Sequence, residues 1–232
     1  MKVLVTGGAG YIGSHTSLAL LRHGYEVIVV DNFSNSSLIA LERVQQLAGR
    51  KLTIIETDLC DHSGLQSVFQ KNPEIESVIH FAALKAVGES TIEPLRYYQN
   101  NVGGSIVLLG EMQNAGVHNL VFSSSCTVYG EPETVPLLES HPIGSVSSPY
   151  GRTKYIMEGI IEDHCKANPS WNAAILRYFN PVGIDPRLST LLGDSVLLGS
   201  DFFSAVRRFL LGRKAEVDIF GNDTMKVIEV KI

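Results

Sequence analysis

No two cysteines in this sequence are spaced to hold a metal or a redox disulfide. Cys60, Cys126 and Cys165 are widely scattered, and an odd number of cysteines does not suggest a disulfide framework. The simplest expectation is a reducing compartment, the cytoplasm. Basic residues are also sparse. Nineteen Lys and Arg against 24 Asp and Glu give a formal net charge of −5, so the electrostatic footprint of a nucleic-acid binder is missing. No apolar run approaches the roughly 20 residues that a membrane span needs. The apolar N-terminus is broken early by "TGGAG", too soon for the apolar core of a signal peptide. Internal repeats and low-complexity tracts are absent as well. What remains is a chain of 232 residues, 44% hydrophobic and 19% charged. That is the composition of a folded domain, with room for one large domain or one domain and part of a second.

Short apolar runs alternate with longer helical patterns. The runs at 2–6, 26–31, 52–58, 77–83, 119–125 and 172–180 read as strands. Between them, Ile12, Thr16, Ala19 and Leu20 recur at helical spacing, with Gly24 as the stop. Further helices are expected over 38–49, 64–72, 94–116 and 150–168. Strands of about six residues between helices of about twelve predict an α/β fold: a doubly wound, Rossmann-like parallel sheet with helices on both faces. The rhythm changes at Pro181, so 1–180 is expected as the main domain. Residues 181–232, with one more helix at 201–212 and an apolar alternation at 225–232, are expected as an incomplete, smaller region.

The stretch "VTGGAGYIG" at 5–13 contains Gly8-x-Gly10-x-x-Gly13 and, overlapping it, Gly7-x-x-Gly10-x-x-Gly13. A tight turn leaving a strand, a backbone close to a pyrophosphate and a helix packed hard on the sheet all call for such glycines. The helix N-terminus then faces the phosphates. Glycine is common here, 21 residues, so the motif alone is weak. Its position after a strand, before a helix and about 20 residues ahead of Asp31 at the next strand end makes it a dinucleotide fingerprint. A carboxylate at that strand end accepts from both ribose hydroxyls and repels a 2′-phosphate, which favours NAD over NADP.

"YGRTK" at 150–154 sets Tyr150 and Lys154 on one helical face. A phenol titrates near 10, and an adjacent ammonium can lower it toward a useful general base. Ser125 ends the strand "FSSS", and strand ends of this kind line the ligand crevice. A serine, a tyrosine and a lysine beside a nicotinamide constitute a hydride-transfer site. Tyr-x-x-x-Lys taken alone is equally an amphipathic surface pair.

In this order, "TGGAGYIG", the "SSS" strand end and "YGRTK" resemble the extended short-chain dehydrogenase/reductases. "VIHFAALKAVGES" at 78–90, "YYQNNVGG" at 97–104, "FSSSCTVYG" at 122–130, "SPYGRTK" at 148–154 and "LRYFNPVG" at 176–183 narrow the resemblance to the UDP-glucose 4-epimerases. The resemblance implies NAD held tightly and regenerated in each cycle. It implies Tyr150 as the base on the sugar 4-hydroxyl, Lys154 as its electrostatic partner and ribose holder, and Ser125 sharing a hydrogen bond with the 4-oxygen. It extends the cofactor set from Gly7, Gly10 and Gly13 to Tyr11, Ile12, Asp31, Asn32, Phe33, Ser34, Asn35 and Ser36. Asp58, Leu59, Phe81, Lys85, Asn100 and Tyr178 complete it. Sugar or UDP contacts are implied for Lys85, Ala86, Val87, Thr127 and Asn180, with Phe220 near the uracil. No metal is implied. Phe81 and Tyr178 have a competing, weaker reading as core aromatics, Asn100 as a helix capping or back-bonding residue and Lys85 as a solvated loop charge, while Cys126 reads as packing rather than chemistry.

The related 4,6-dehydratases carry an Asp-Glu pair just after the strand-end serine or threonine. Cys126 and Thr127 stand there in this chain, which argues for oxidation and return rather than dehydration. Beyond residue 183 the likeness thins, resumes at 212–223 and ends before "TMKVIEVKI". The family continues for roughly another hundred residues, with arginines that clamp the diphosphate. The expectation is therefore a C-terminally shortened UDP-hexose 4-epimerase pairing as a homodimer through the helices that start near Pro94 and Tyr150. The alternatives are an inactive NAD-binding module, another nucleotide-sugar epimerase or dehydratase, and a dehydrogenase that releases its product.

Overall fold

Residues 1–179 and 227–231 are described by the computed structural model of the chain. Among them the strands are β1 (Lys2–Thr6), β2 (Glu26–Asp31), β3 (Thr53–Glu56), β4 (Ile75–His80), β5 (Asn119–Ser125), β6 (Asn172–Tyr178) and β7 (Val227–Lys231). The helices are α1 (Tyr11–Arg22), α2 (Leu38–Ala48), α3 (His62–Lys71), α4 (Val87–Ile92), α5 (Pro94–Tyr97), α6 (Gly104–Asn114) and α7 (Pro149–Ala167). The sheet order is β3-β2-β1-β4-β5-β6-β7. The first six strands run parallel, and β7 adds antiparallel to β6, with Val227 opposite Tyr178. The order reverses between β1 and β4, and that switch point opens a crevice beyond the strand C-termini.

Alternation along each strand divides the core in two. Val3, Val5, Val27 and Val29 face α1 and α2 through Leu18, Leu41 and Val44. Leu4, Ile28 and Val30 face the opposite side, where Leu65, Leu108, Met112, Met157 and Ile161 of α3, α6 and α7 cover them. Each such side chain taken out of water contributes about 1.5–3 kcal/mol, so both faces need helices and the sheet is doubly wound.

Helix starts follow side-chain chemistry. Ser148 caps α7 by accepting from the Gly151 amide at 3.1 Å, with Pro149 at the first position. Asp61 caps α3 through the Gly64 amide at 3.0 Å. α1 is different: Gly10 offers no side-chain cap, and no acidic residue sits in the first turn. A helix start of this kind is suited to receive a ligand anion.

The structure departs from the sequence expectations in several places. The long helix expected over 94–116 is α5, a π-helical turn at Tyr98–Gly103 and α6. α4 and a 3-10 turn at Cys126–Tyr129 were not anticipated. β4 begins and ends earlier than 77–83, because the chain must leave the sheet at Phe81 to border the crevice. The helix expected over 201–212, Asn180 and Phe220 lie outside the described residues.

Candidate active site

The Gly-rich turn leaves β1 and enters α1 in very little space. Gly7 has a φ of +67°, and a Cβ there would stand 2.6 Å from the Ala82 amide nitrogen. A Cβ on Gly13 would press on the Gly7 carbonyl oxygen and come within 2.7 Å of the Gly8 Cα. At these two positions only glycine fits. At the end of β2, Asp31 is 7% exposed. One of its oxygens accepts from the Ala9 amide at 2.9 Å. The other accepts from the Phe33 amide at 3.0 Å and the Ser36 hydroxyl at 2.8 Å. The carboxylate thus fixes both loops that border the cleft. Phe33 takes a φ of 52°, and its ring packs on the core rather than toward the cleft. Burial pushes the Asp58 carboxyl up, but the Cys60 amide and the Asn32 side chain outweigh this and hold it below its ordinary value.

A cleft of about 660 Å³ runs from this turn to the end of β5. Of the residues implied for cofactor and substrate, it gathers Gly7, Gly10, Tyr11, Ile12, Gly13, Asp31, Asn32, Ser34, Asn35, Ser36, Asp58, Leu59, Phe81, Lys85, Val87, Asn100, Ser125, Thr127, Tyr150, Lys154 and Tyr178. Phe33 and Ala86 are not part of its lining. The backbone amide of Ala86 instead donates to the Tyr97 hydroxyl at 3.1 Å. Ser123, Ser124, Cys126 and Phe179 also line the cleft.

Tyr150 and Lys154 share a face of α7, as their spacing implies. The Lys154 ammonium donates to the Ser123 carbonyl at 2.7 Å and lies 4.9 Å from the Phe122 ring centre. Burial pulls its pKa down to about 8, and the charge of Glu158 opposes that fall. Burial also raises Tyr150 above its ordinary value, with the Ser125 hydroxyl pulling the other way. Lys154, whose ammonium points at the strand carbonyl, is not among the groups that shift Tyr150, in contrast to the lowering expected from their spacing. Ser125 accepts from the Thr127 amide at 3.3 Å and the Thr127 hydroxyl at 3.0 Å, which fixes the serine at the strand end.

The residues behind the site were not legible from motifs. Asn101, 3% exposed, sits in the π-helical turn. Its side chain accepts from the Leu84 amide at 2.8 Å and donates to the Leu84 carbonyl at 2.9 Å. It also reaches Thr153 on α7 at 3.2 Å. This one amide ties the Lys85 loop to the helix that carries Tyr150 and Lys154. The π-turn is what aims it there, a common use of such turns at functional sites. Glu158 and Arg177 form a second hidden pair. Their signals were a third position at i+4 spacing after Tyr150 and Lys154, and a lone charge inside the apolar run "AAILRYF".

His80, at the end of β4, is enclosed between Thr6 and Ser105, each at 2.7 Å from one ring nitrogen. Burial first, and then the Lys154 charge, lower its pKa to about 3. The unfolded chain binds this proton below about pH 6.5 and the folded chain does not. Folding stability should therefore fall by several kcal/mol as pH drops from about 6.5 to 3. Urea unfolding across this range should give a shallower pH slope for His80→Asn. Equal slopes would remove His80 as the cause.

The profile of the NAD dependent epimerase/dehydratase family matches residues 3–226. The chain belongs to that family. Within the NAD dependent epimerase/dehydratase family, it is similar to the UDP-glucose 4-epimerases of Haemophilus influenzae and Bacillus subtilis, at 49% and 50% identity over 224 residues. The match takes in 96% of this chain and 65% of each relative, so the chain spans under two thirds of their length. Its fold resembles that of the UDP-glucose 4-epimerase from Bifidobacterium longum solved in complex with NAD+ and UDP. The TM-score is 0.78 at 49% identity, over 79% of this chain and 54% of that one.

The residues present fit a dinucleotide. Gly7 and Gly13 make a turn at the cleft wall that leaves no room for a side chain at either position, α1 has no side-chain cap at its N-terminus, and Asp31 lines the same cleft. The volume is within the usual range for small-ligand sites. Among the described residues, no cluster could hold a metal ion, and no helix is long and apolar enough to cross a membrane.

Proposed function

We propose that this chain holds NAD and interconverts UDP-glucose and UDP-galactose by oxidation and reduction at C4 of the hexose. The observation that carries the reading is the convergence of Ser125, Tyr150 and Lys154 on one end of the cleft whose other end is the glycine turn. The identity to UDP-glucose 4-epimerases supports it. So does the pair Cys126 and Thr127, which supplies neither the acid nor the base that eliminating water would need.

NAD, when bound, supplies the acceptor and then the donor of the C4 hydride. Gly7, Gly10 and Gly13 would admit its pyrophosphate to the α1 amides, and Asp31 would take the ribose hydroxyls. Tyr150 removes the 4-hydroxyl proton and returns it to the 4-keto sugar after the sugar has turned its other face. Ser125 donates a hydrogen bond that stabilises the charged phenol oxygen. Lys154, with a pKa of about 8, is mostly an ammonium at neutral pH and carries its charge one helical turn from Tyr150. Lys85, Asn100 and Tyr178 line the same cleft.

The test is to incubate the purified chain with UDP-galactose, assay UDP-glucose and follow the near-ultraviolet absorbance of reduced nicotinamide. Product with transient reduction supports the proposal. Retained NAD with neither reduction nor product would leave a cofactor-binding module in place of an epimerase. Pairing of two chains belongs to the same reading. Ile92 and Leu95, at the end of α4 and the start of α5, are apolar and 80% and 81% exposed. Sedimentation should give twice the 25.3 kDa chain mass, reduced to one chain by Leu95→Asp. A monomeric parent would sink the pairing.

A further inference from the structure

The Glu158–Arg177 pair is the buried charge that the proposed reaction leaves without a task. Glu158 is 1% and Arg177 3% exposed. The guanidinium grips the carboxylate through Nε at 3.1 and 3.2 Å and Nη2 at 2.7 Å. Nη1 donates to the Tyr129 hydroxyl at 2.8 Å, and Cζ lies 5.0 Å from the Tyr129 ring centre. The Ser124 hydroxyl donates to the same carboxylate. A buried pair of this kind is often no more stabilising than apolar side chains of equal volume, so stability alone does not account for it.

Its place in the fold does. Glu158 lies one turn of α7 beyond Lys154, on the face that carries Tyr150. Ser124 precedes Ser125 on β5, Arg177 precedes Tyr178 on β6, and Tyr129 closes the 3-10 turn that carries Cys126 and Thr127. Each member is next to, or one helical turn from, a residue that lines the cleft. Lys154 itself is 4% exposed. One helical turn to either side of it on α7 are Tyr150 and Glu158, His80 on β4 feels its charge, and β5 offers the Ser123 carbonyl and the Phe122 ring, while Arg177 on β6 is bonded to Glu158 and to Tyr129 of the 3-10 turn. His80 is neutral at physiological pH. Glu158 is the carboxylate that acts on the lysine.

We infer that Glu158 is a positioning residue for the reaction, fixing α7 onto β5 and β6 through Arg177 and Ser124 and holding a buried negative charge one helical turn from Lys154. The inference rests on the role proposed for Lys154, but its test needs no turnover. Lysines labelled at Cε are titrated by carbon-13 NMR in the chain as purified, and the Lys154 signal is assigned by its loss in Lys154→Met. The parent midpoint is expected near 8. Glu158→Gln leaves Arg177 uncompensated and should lower the midpoint by about one unit, tenfold in proton affinity. Arg177→Met leaves the carboxylate unshared and should raise it. A purely mechanical bolt gives one direction for both variants, because loosening admits water and raises the midpoint each time. An unchanged or raised midpoint in Glu158→Gln, or a fall in Arg177→Met, overturns the inference. If the single variants do not fold, the uncharged pair Glu158→Gln/Arg177→Met decides: a lowered midpoint supports it, and an unchanged or raised one overturns it. A chain that shows these shifts but no epimerisation would sink the reaction and leave the link between Glu158 and Lys154 intact, so the two failures are distinguishable.

Discussion

Replacing Tyr150 by Phe should cut epimerisation by about 10²–10⁴ while NAD stays bound and the chain stays folded. The hydroxyl is the part at stake. Tyr150 stands on α7, held by the Ser148 cap at its start and by Thr153, whose hydroxyl donates to the Tyr150 carbonyl at 2.7 Å and links to Asn101. A phenylalanine ring keeps that placement and most of the contact area. What disappears is the group proposed to exchange a proton with the sugar 4-oxygen. KM should move little and kcat should carry the loss, the pattern of an interaction made in the transition state. Ser125→Ala should give a smaller loss and an alkaline shift of the pH–rate profile, since Ser125 is the group that pulls the buried phenol back down. A fall of less than tenfold in Tyr150→Phe would remove the tyrosine from the role of base.

The legible parts of this molecule are the local ones. The β1–α1–β2 unit could be read because its signals lie within about thirty residues: an apolar run, glycines at fixed offsets and an aspartate at the next strand end. Tyr150 and Lys154 could be placed on one face because helix geometry fixes that spacing, and Ser125 could be placed at the crevice because strand C-termini meet there in such sheets. The spacing did not say where the lysine amine would point. It points at Ser123, since a buried ammonium bonds to the nearest fixed acceptor. Nor could the break in the expected 94–116 helix be seen. The π-turn at Tyr98–Gly103 serves Asn101, whose partners Leu84 and Thr153 are 17 and 52 residues away in sequence. Arg177 inside an apolar strand announced that it needed a partner, but only the tertiary fold identifies Glu158. Side chains that support a site from behind are chosen by long-range contacts, and those leave little periodicity to read.

The other large effect belongs to the glycine turn. Gly13→Ala should abolish NAD retention, lowering affinity at least about a hundredfold, which is about 2.7 kcal/mol. The added methyl has backbone on two sides, the Gly7 carbonyl and the Gly8 Cα at 2.7 Å, so no rotamer change relieves it. That carbonyl is already committed to the turn, accepting from the Gly10 amide at 3.2 Å. Either the turn opens, withdrawing the amides that face the phosphates, or α1 lifts from β1 and disturbs Leu18 and Leu20 in the core. Overpacking of this kind costs about 1–3 kcal/mol in stability, too little to unfold most domains, so the loss should appear in the cofactor first. Gly159→Ala is the control. It lies in the exposed interior of α7 with nothing within 4 Å of an added Cβ, and alanine there should stabilise by about 0.5–1 kcal/mol. The measurement is the ratio of NAD to protein after purification, with thermal unfolding with and without added NAD. A Gly13→Ala chain that keeps NAD and melts like the parent would mean that the pyrophosphate does not pass over this turn, and the proposed cofactor site would have to be moved.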